Sequence, residues 1–194
     1  MKAQFTAALL AGGKSSRMGR DKAQVEIDGV PLWRRQLETL RRVGADEILV
    51  SGPRELRDEI DGVRVIADEV ENCGPLSGIH ALLGAAAHPF VLVLAIDMPA
   101  MAPEYLGRLA AFAFANGSGA VSEYEGCFEP LAAIYPAKAR AVAAAALRGG
   151  DYSLQKFVAE CVKQKLVAPL EVAPGEAGFF ENLNTPIQLA KFSA

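Results

Sequence analysis

The sequence predicts an α/β fold: an open, twisted, mostly parallel sheet with helices on both faces. Three observations carry this. Short apolar runs alternate with helix-like segments through the first half of the chain, the pattern of βαβ units. Phe90 to Ile96 is a continuous apolar run with no polar alternation, as suits a central parallel strand buried on both faces. Gly12, Asp68 and Asp97 each stand just beyond the carboxyl end of such a run. Ligands of open α/β sheets bind at that rim.

Taken in order, Phe5 to Leu10 is the first strand. A glycine-rich, basic loop follows, then a short extended piece over Ala23 to Ile27 closed by an Asp28-Gly29 turn. Pro31 starts a helix in which Leu32, Trp33, Leu37, Leu40 and Val43 recur at roughly helical spacing, and Gly44 ends it. Glu47 to Val50 is a strand, Arg54 to Ile60 a polar helix, and Val63 to Ala67 a third strand with Asp68 at its end. Gly74-Pro75 opens a helix to about Ala87, with proline at an N1-like position. After the Phe90–Ile96 strand comes Asp97-Met98-Pro99, then a helix over Pro103 to Ala115. Beyond it the pattern is less regular. Gly119 to Tyr124 and Phe128 to Tyr135 read as strands around a turn at Gly126, either a hairpin or sheet neighbours. Ala137 to Leu147 is an alanine-rich helix, Ser153 caps another reaching about Val162, and Val167 to Val172 is a late strand. Phe179 to Leu183 leads into Asn184-Thr185-Pro186, where Thr185 suits an N-cap and Pro186 the first helical position, and a final helix ends near Phe192.

The 194 residues suit a single domain, and 51% hydrophobic residues suffice for a full core. The expected division is into two halves, over about 1–100 and about 101–194. A net charge of −3 gives no reason to expect a nucleic-acid or membrane surface. The first residues lack a long apolar stretch, and Phe90 to Ile96 is too short to span a bilayer, so the expectation is a cytoplasmic protein. Cys73, Cys127 and Cys161 are far apart with no metal-ligand spacing, and read as small hydrophobes rather than a framework.

The chemistry concentrates in Leu10 to Lys22: Leu-Ala-Gly-Gly-Lys-Ser-Ser-Arg-Met-Gly-Arg-Asp-Lys. Successive backbone N–H groups in a glycine-rich loop form an anion-binding concavity. Lys14, Arg17, Arg20 and Lys22 add cations, so the fitting guest is a nucleotide polyphosphate. A P-loop needs a second glycine where Met18 stands, and the G-x-G-x-x-G fingerprint is absent. The stretch instead resembles the signature loop of the nucleotidyltransferases, Leu-Ala-(Gly/Ala)-Gly, then Ser-x-Arg-Met-Gly and a lysine. With Gly at position 12 and Asp-Lys at 21 and 22, it is most similar to that of the molybdenum cofactor guanylyltransferases. Asp97-Met98-Pro99, the Gly74-Pro75-Leu76-Ser77-Gly78 segment, Glu129-Pro130-Leu131 and Asn182-Leu183-Asn184-Thr185-Pro186 extend the resemblance to about Leu189.

The resemblance implies a single-domain, Rossmann-like sheet of the nucleotide-diphospho-sugar transferase type. It implies a nucleotide site formed by Leu10, Ala11, Gly12, Gly13, Lys22, Ser51, Asp68, Gly74 and Asp97, with Asp97 holding Mg²⁺. Lys22 and Arg17 are the expected catalytic cations beside Asp97, because nucleotidyl transfer is catalysed by positioning and charge neutralisation. Ser51 stands where relatives hold Asn, and Ile96 where the family often has Cys. Asn182 and Asn184 fall where the pterin acceptor docks. The implied reaction moves GMP from GTP to the molybdopterin-type cofactor, releasing pyrophosphate. Further implied partners are cofactor-insertion proteins and apo-enzymes. Alternatives are cytidylyl transfer to the same cofactor, sugar-1-phosphate nucleotidyl transfer, and a silent GTP-binding partner of a molybdenum enzyme. Gly12 argues against the cytidylyl relatives, which tend to carry Leu-Ala-Ala-Gly, and intact Lys22 and Asp97 argue against a silent protein.

Overall fold

The computed structural model describes residues 4–12, 25–52, 62–67, 73–183, 188, 189 and 192. The sequence expectations for Gly13, Arg17, Lys22, Asp68, Asn184, the 54–60 helix and the Thr185-Pro186 cap lie outside the described residues. Nine strands are described: β1 Thr6–Leu10, β2 Glu26–Ile27, β3 Val30–Pro31, β4 Glu47–Ser51, β5 Arg64–Ile66, β6 Phe90–Ala95, β7 Gly119–Tyr124, β8 Cys127–Pro136 and β9 Val167–Glu171. The helices are α1 Leu32–Val43, α2 Pro75–Ala85, α3 Pro103–Asn116, α4 Ala139–Arg148 and α5 Leu154–Lys163, followed by a 3-10 turn at Ala177–Phe180.

Seven strands form one sheet in the order β5-β4-β1-β6-β8-β7-β9, and β2 with β3 make a separate small ribbon. β5, β4, β1 and β6 run parallel, as the alternating pattern predicts. β8 enters antiparallel between β6 and β7, and β9 returns parallel to β7. All five residues of β1 are buried, because both its neighbours and both its faces are covered. Alternation then divides the core. Ala7 and Leu9 face one layer with the buried residues of α1 and α3, while Ala8 and Leu10 face the other with those of α2, α4 and α5. Leu9, Leu92 and Leu94 are fully buried in the first layer, and truncating such a leucine to alanine costs about 2–5 kcal/mol.

The helix ends follow local chemistry. α1 stops where Gly44 adopts φ 77°, its N–H donating to the Arg41 carbonyl. α3 stops likewise at Gly117, φ 63°. The Ser153 hydroxyl caps α5 by accepting from the Lys156 N–H at 3.4 Å. β7 and β8 form a hairpin: Glu125 and Gly126 both take positive φ, the requirement of a two-residue turn matched to strand twist. Asp28-Gly29 closes β2–β3 the same way.

β8 is not a plain strand. Val121 pairs with Ala133, but the next residue, Ser122, pairs with Glu129, so Pro130 to Ala132 bulge out of the β7 ladder. The Tyr135 hydroxyl secures the bulge by donating to the Pro130 carbonyl at 2.8 Å.

Candidate functional site

The parallel half fixes where a site can be. The carboxyl ends of β5, β4, β1 and β6 share one rim, and each ladder continues briefly past its strand. The Ala11 and Gly12 N–H groups both donate to the Ser51 carbonyl, at 2.7 and 3.1 Å. The Ile96 N–H donates to the Leu10 carbonyl at 3.0 Å. The exit of β1 is thereby held between its two neighbours, with Gly12 at its mouth. Leu10 and Ala11 are buried, while Gly12 is exposed.

The Ala11 and Gly12 N–H groups are committed to Ser51, and the Leu10 carbonyl to Ile96. Ser51 is 1% exposed, and its carbonyl shapes the β1 exit.

Asp97 follows the last buried positions of β6 and is half-buried at the same rim. Ile96, 3% exposed, points into the core, so the change from the family's Cys is absorbed by packing. The turn that presents Asp97 is held on both sides. Gln36 of α1, 1% exposed, donates its side-chain amide to the Ala95 carbonyl at 3.5 Å and to the Met98 carbonyl. The Leu183 N–H donates to the Asp97 carbonyl at 2.7 Å. That last bond brings Asn182, half-buried and one residue before Leu183, next to Asp97. Two expected site residues that lie 85 positions apart in the chain therefore meet at one rim.

α2 connects parallel strands β5 and β6, so its N-terminus faces the rim too. Gly74 sits there with φ 66° and ψ −163°, a conformation that favours glycine, and Pro75 takes the first helical position. Glu129 reaches the rim on the antiparallel side, since β8 begins where β6 ends. Its half-burial pushes the carboxyl up from the ordinary range.

Two residue sets escaped the sequence reading. Gln36 interrupts the apolar stripe of α1 between Leu32 and Leu40; a glutamine at that spacing was the available signal. Arg108 and Glu176 form a two-bond ion pair at 2.7 and 2.6 Å, and their separation of 68 residues leaves no local signal. Two clefts lie elsewhere and touch none of the expected site residues. One, about 430 Å³, runs between α4 and α5, and the other, about 480 Å³, lies at the amino end of β4 and β5. Among the described residues no three His, Cys, Asp or Glu side chains gather as a metal cage, and no helix is long and apolar enough to cross a membrane.

A mostly parallel sheet with a glycine at the mouth of its first strand and an aspartate at the end of a neighbouring one is the arrangement expected of a nucleotidyltransferase. Residues 7–166 match the MobA-like NTP transferase domain, and the chain belongs to that family. It is 41% identical to a probable molybdenum cofactor guanylyltransferase of Opitutus terrae, over 92% of this chain and 90% of that protein. It is 31% identical to the molybdenum cofactor guanylyltransferase of Pseudomonas putida KT2440, over 93% of each. Among solved structures it resembles molybdopterin-guanine dinucleotide biosynthesis protein A from Archaeoglobus fulgidus, with a TM-score of 0.81, 25% identity, and coverage of 97% and 96% of the two chains.

Proposed function

We propose that the protein transfers GMP from GTP to a phosphorylated molybdopterin-type molybdenum cofactor. The names of its full-length relatives support this reading. The structural observation that carries it is the meeting of Gly12, Asp97 and Asn182 around the end of β1 and β6, joined by the Ile96–Leu10 and Leu183–Asp97 backbone bonds.

In this reading the nucleotide lies over the β1 exit. Guanine offers O6 as an acceptor and N1–H and N2–H₂ as donors, edges that backbone groups at the end of β1 can read. Gly74, Ser51 and Asp68 border the nucleoside, and Gly13, Lys22 and Arg17 receive the polyphosphate. Asp97 supplies a hard carboxylate oxygen of the kind Mg²⁺ takes, and such an ion is completed by waters and substrate phosphates rather than by a protein cage. The bound ion would neutralise charge on the phosphates. An oxygen of the acceptor's terminal phosphate attacks the α-phosphorus of GTP; the new P–O bond forms as the bond to the β-phosphate oxygen breaks, and pyrophosphate leaves. Lys22 and Arg17 balance the charge that builds on the leaving group. Asn182 and Asn184 orient the pterin.

The test measures pyrophosphate release from each of the four NTPs, with and without molybdopterin cofactor, at several Mg²⁺ concentrations. Release that needs GTP, cofactor and Mg²⁺ together is expected. Release with CTP at an equal rate, or with a sugar-1-phosphate in place of the pterin, would overturn the assignment.

A further inference from the structure

We propose that Arg108 and Glu176 form a clamp that positions the acceptor side of the site, an inference that rests on Asn182 being an acceptor contact. After β9 the chain leaves the sheet. The Val172 N–H donates to the Glu123 carbonyl at 3.0 Å, and the next backbone bond to a distant part of the chain is Leu183 to Asp97. Between these anchors the backbone bonds are local: Glu176 N–H to Ala173, Phe179 N–H to Glu176, and Glu181 N–H to Gly178. The segment is therefore a strap, tied at both ends and carrying Asn182 just before its second tie.

Among the described residues, the side-chain hydrogen bonds that reach from 173–182 to another element are those between Arg108 and Glu176. They are two-pronged. Arg108 Nη1 donates to Glu176 Oε1 at 2.7 Å and Nη2 to Oε2 at 2.6 Å. Glu176 Oε2 also accepts the Ala173 N–H at 3.1 Å, which closes the turn that starts the strap. The guanidinium lies 4.8 Å from the centre of the Tyr105 ring. That ring is itself fixed: its hydroxyl donates to Ser122 Oγ at 2.8 Å, and it is 2% exposed. Phe179 and Phe180 pack edge-on against the same ring, at 5.7 and 5.3 Å. Tyr105 thus serves as a post, and Arg108 fastens the strap to it.

A partly exposed ion pair contributes little to global stability. Arg108 is 49% exposed and Glu176 19%. The pair's planar two-bond geometry fixes direction, however. Its effect is to set the register of the strap, and so the position of Asn182 relative to Asp97.

The experiment compares wild type with Glu176→Ala, Glu176→Gln and Arg108→Lys, varying GTP and molybdopterin cofactor in turn. Glu176→Ala should raise the KM for the cofactor at least fivefold and leave that for GTP within twofold. Glu176→Gln, which keeps one acceptor oxygen, should fall between. Amide exchange at Phe180 and Leu183, measured without substrates, should quicken in Glu176→Ala. A rise of both KM values together, or an unmoved cofactor KM in an active protein, overturns the clamp. Unchanged exchange at Phe180 and Leu183 overturns it as well. A wild type that releases no pyrophosphate with the cofactor sinks the acceptor reading itself.

Discussion

Gly12→Ala separates what the base needs from what the protein needs. A Cβ built at Gly12 would lie 3.7 Å from Gly52 Cα and 3.9 Å from the Ser51 carbonyl, both ordinary contacts. Gly12 is not among the glycines with positive φ, so alanine fits its backbone without strain. Replacing glycine at such a position stabilises a protein by about 0.4–1 kcal/mol, through the entropy of the unfolded chain. For a domain of this size that is a rise of about 1–4 °C in Tm. The added methyl stands at the exposed mouth of β1, where the base is proposed to lie. It crowds a two-ring base more than a one-ring base. We predict that wild type prefers GTP over CTP by at least about tenfold in rate at equal concentration, or about 1.4 kcal/mol of transition-state discrimination. In Gly12→Ala the preference should narrow by about threefold or more, near 0.7 kcal/mol. Competition assays with both nucleotides on both proteins, run beside melting curves, measure the two effects independently. An unchanged preference in a variant whose Tm holds would refute a base lying against Gly12. A Tm several degrees lower would refute the geometry of the β1 exit.

Asp97→Asn keeps the shape of the turn and its bond from Leu183, so the fold should persist while turnover drops by about two orders of magnitude or more, the scale of losing a main electrostatic group. Wild-type turnover in that variant, read by pyrophosphate release, would remove Asp97 from the mechanism. Lys22→Ala should weaken GTP binding in titrations and slow transfer, with Arg17→Ala milder; no effect from either would mean the loop does not cradle phosphate. Glu47 sits at the opposite end of the sheet, where burial alone would raise its pKa. Hydrogen bonds from the Ala87 N–H, Thr6 hydroxyl and Arg64 reverse this and hold it below the ordinary value. Its stabilisation is thus complete above the unfolded carboxyl value of about 4.3 and fades as pH falls through the lower folded value. Glu47→Gln should therefore melt lower than wild type at pH 7, with the gap closing below about pH 4; a gap that stays constant would contradict the linkage.

The parallel half of the fold was legible because its signals are local. Phe90 to Ala95 is apolar at every step, Gly44 stands where α1 must turn, and Gly12 and Asp97 each follow a buried strand. The antiparallel half was legible only in outline. The sequence left β7 and β8 as a hairpin or as neighbours; the antiparallel pairing of Tyr124 with Cys127, around a turn in which Glu125 takes positive φ, settles the hairpin. The bulge at Pro130 to Ala132 is a shift in the pairing of β8 with β7, a cross-strand feature with no local mark. Gln36 was hidden for a related reason. Its partners are carbonyls some 60 residues away, and only their burial makes a glutamine on an apolar stripe informative.

In the proposed reaction, the antiparallel insertion gives the second substrate a route to the rim proposed for the first. β8 separates β6 from β7, yet β7 and β9 still point the same way as β6. The chain therefore leaves β9 at the carboxyl rim, the side where Asp97 stands. Had β9 paired antiparallel, the strap would emerge at the opposite end of the sheet and could not reach Asp97 without crossing it. As built, the strap runs along the rim and ends with its Leu183 N–H on the Asp97 carbonyl. Gly12 follows β1, the strand that pairs directly with β6. In the proposed reaction the nucleotide's α-phosphate and the acceptor's phosphate must come together in line. The proposed function puts that meeting at Asp97, where the end of the strap is bonded to the turn after β6.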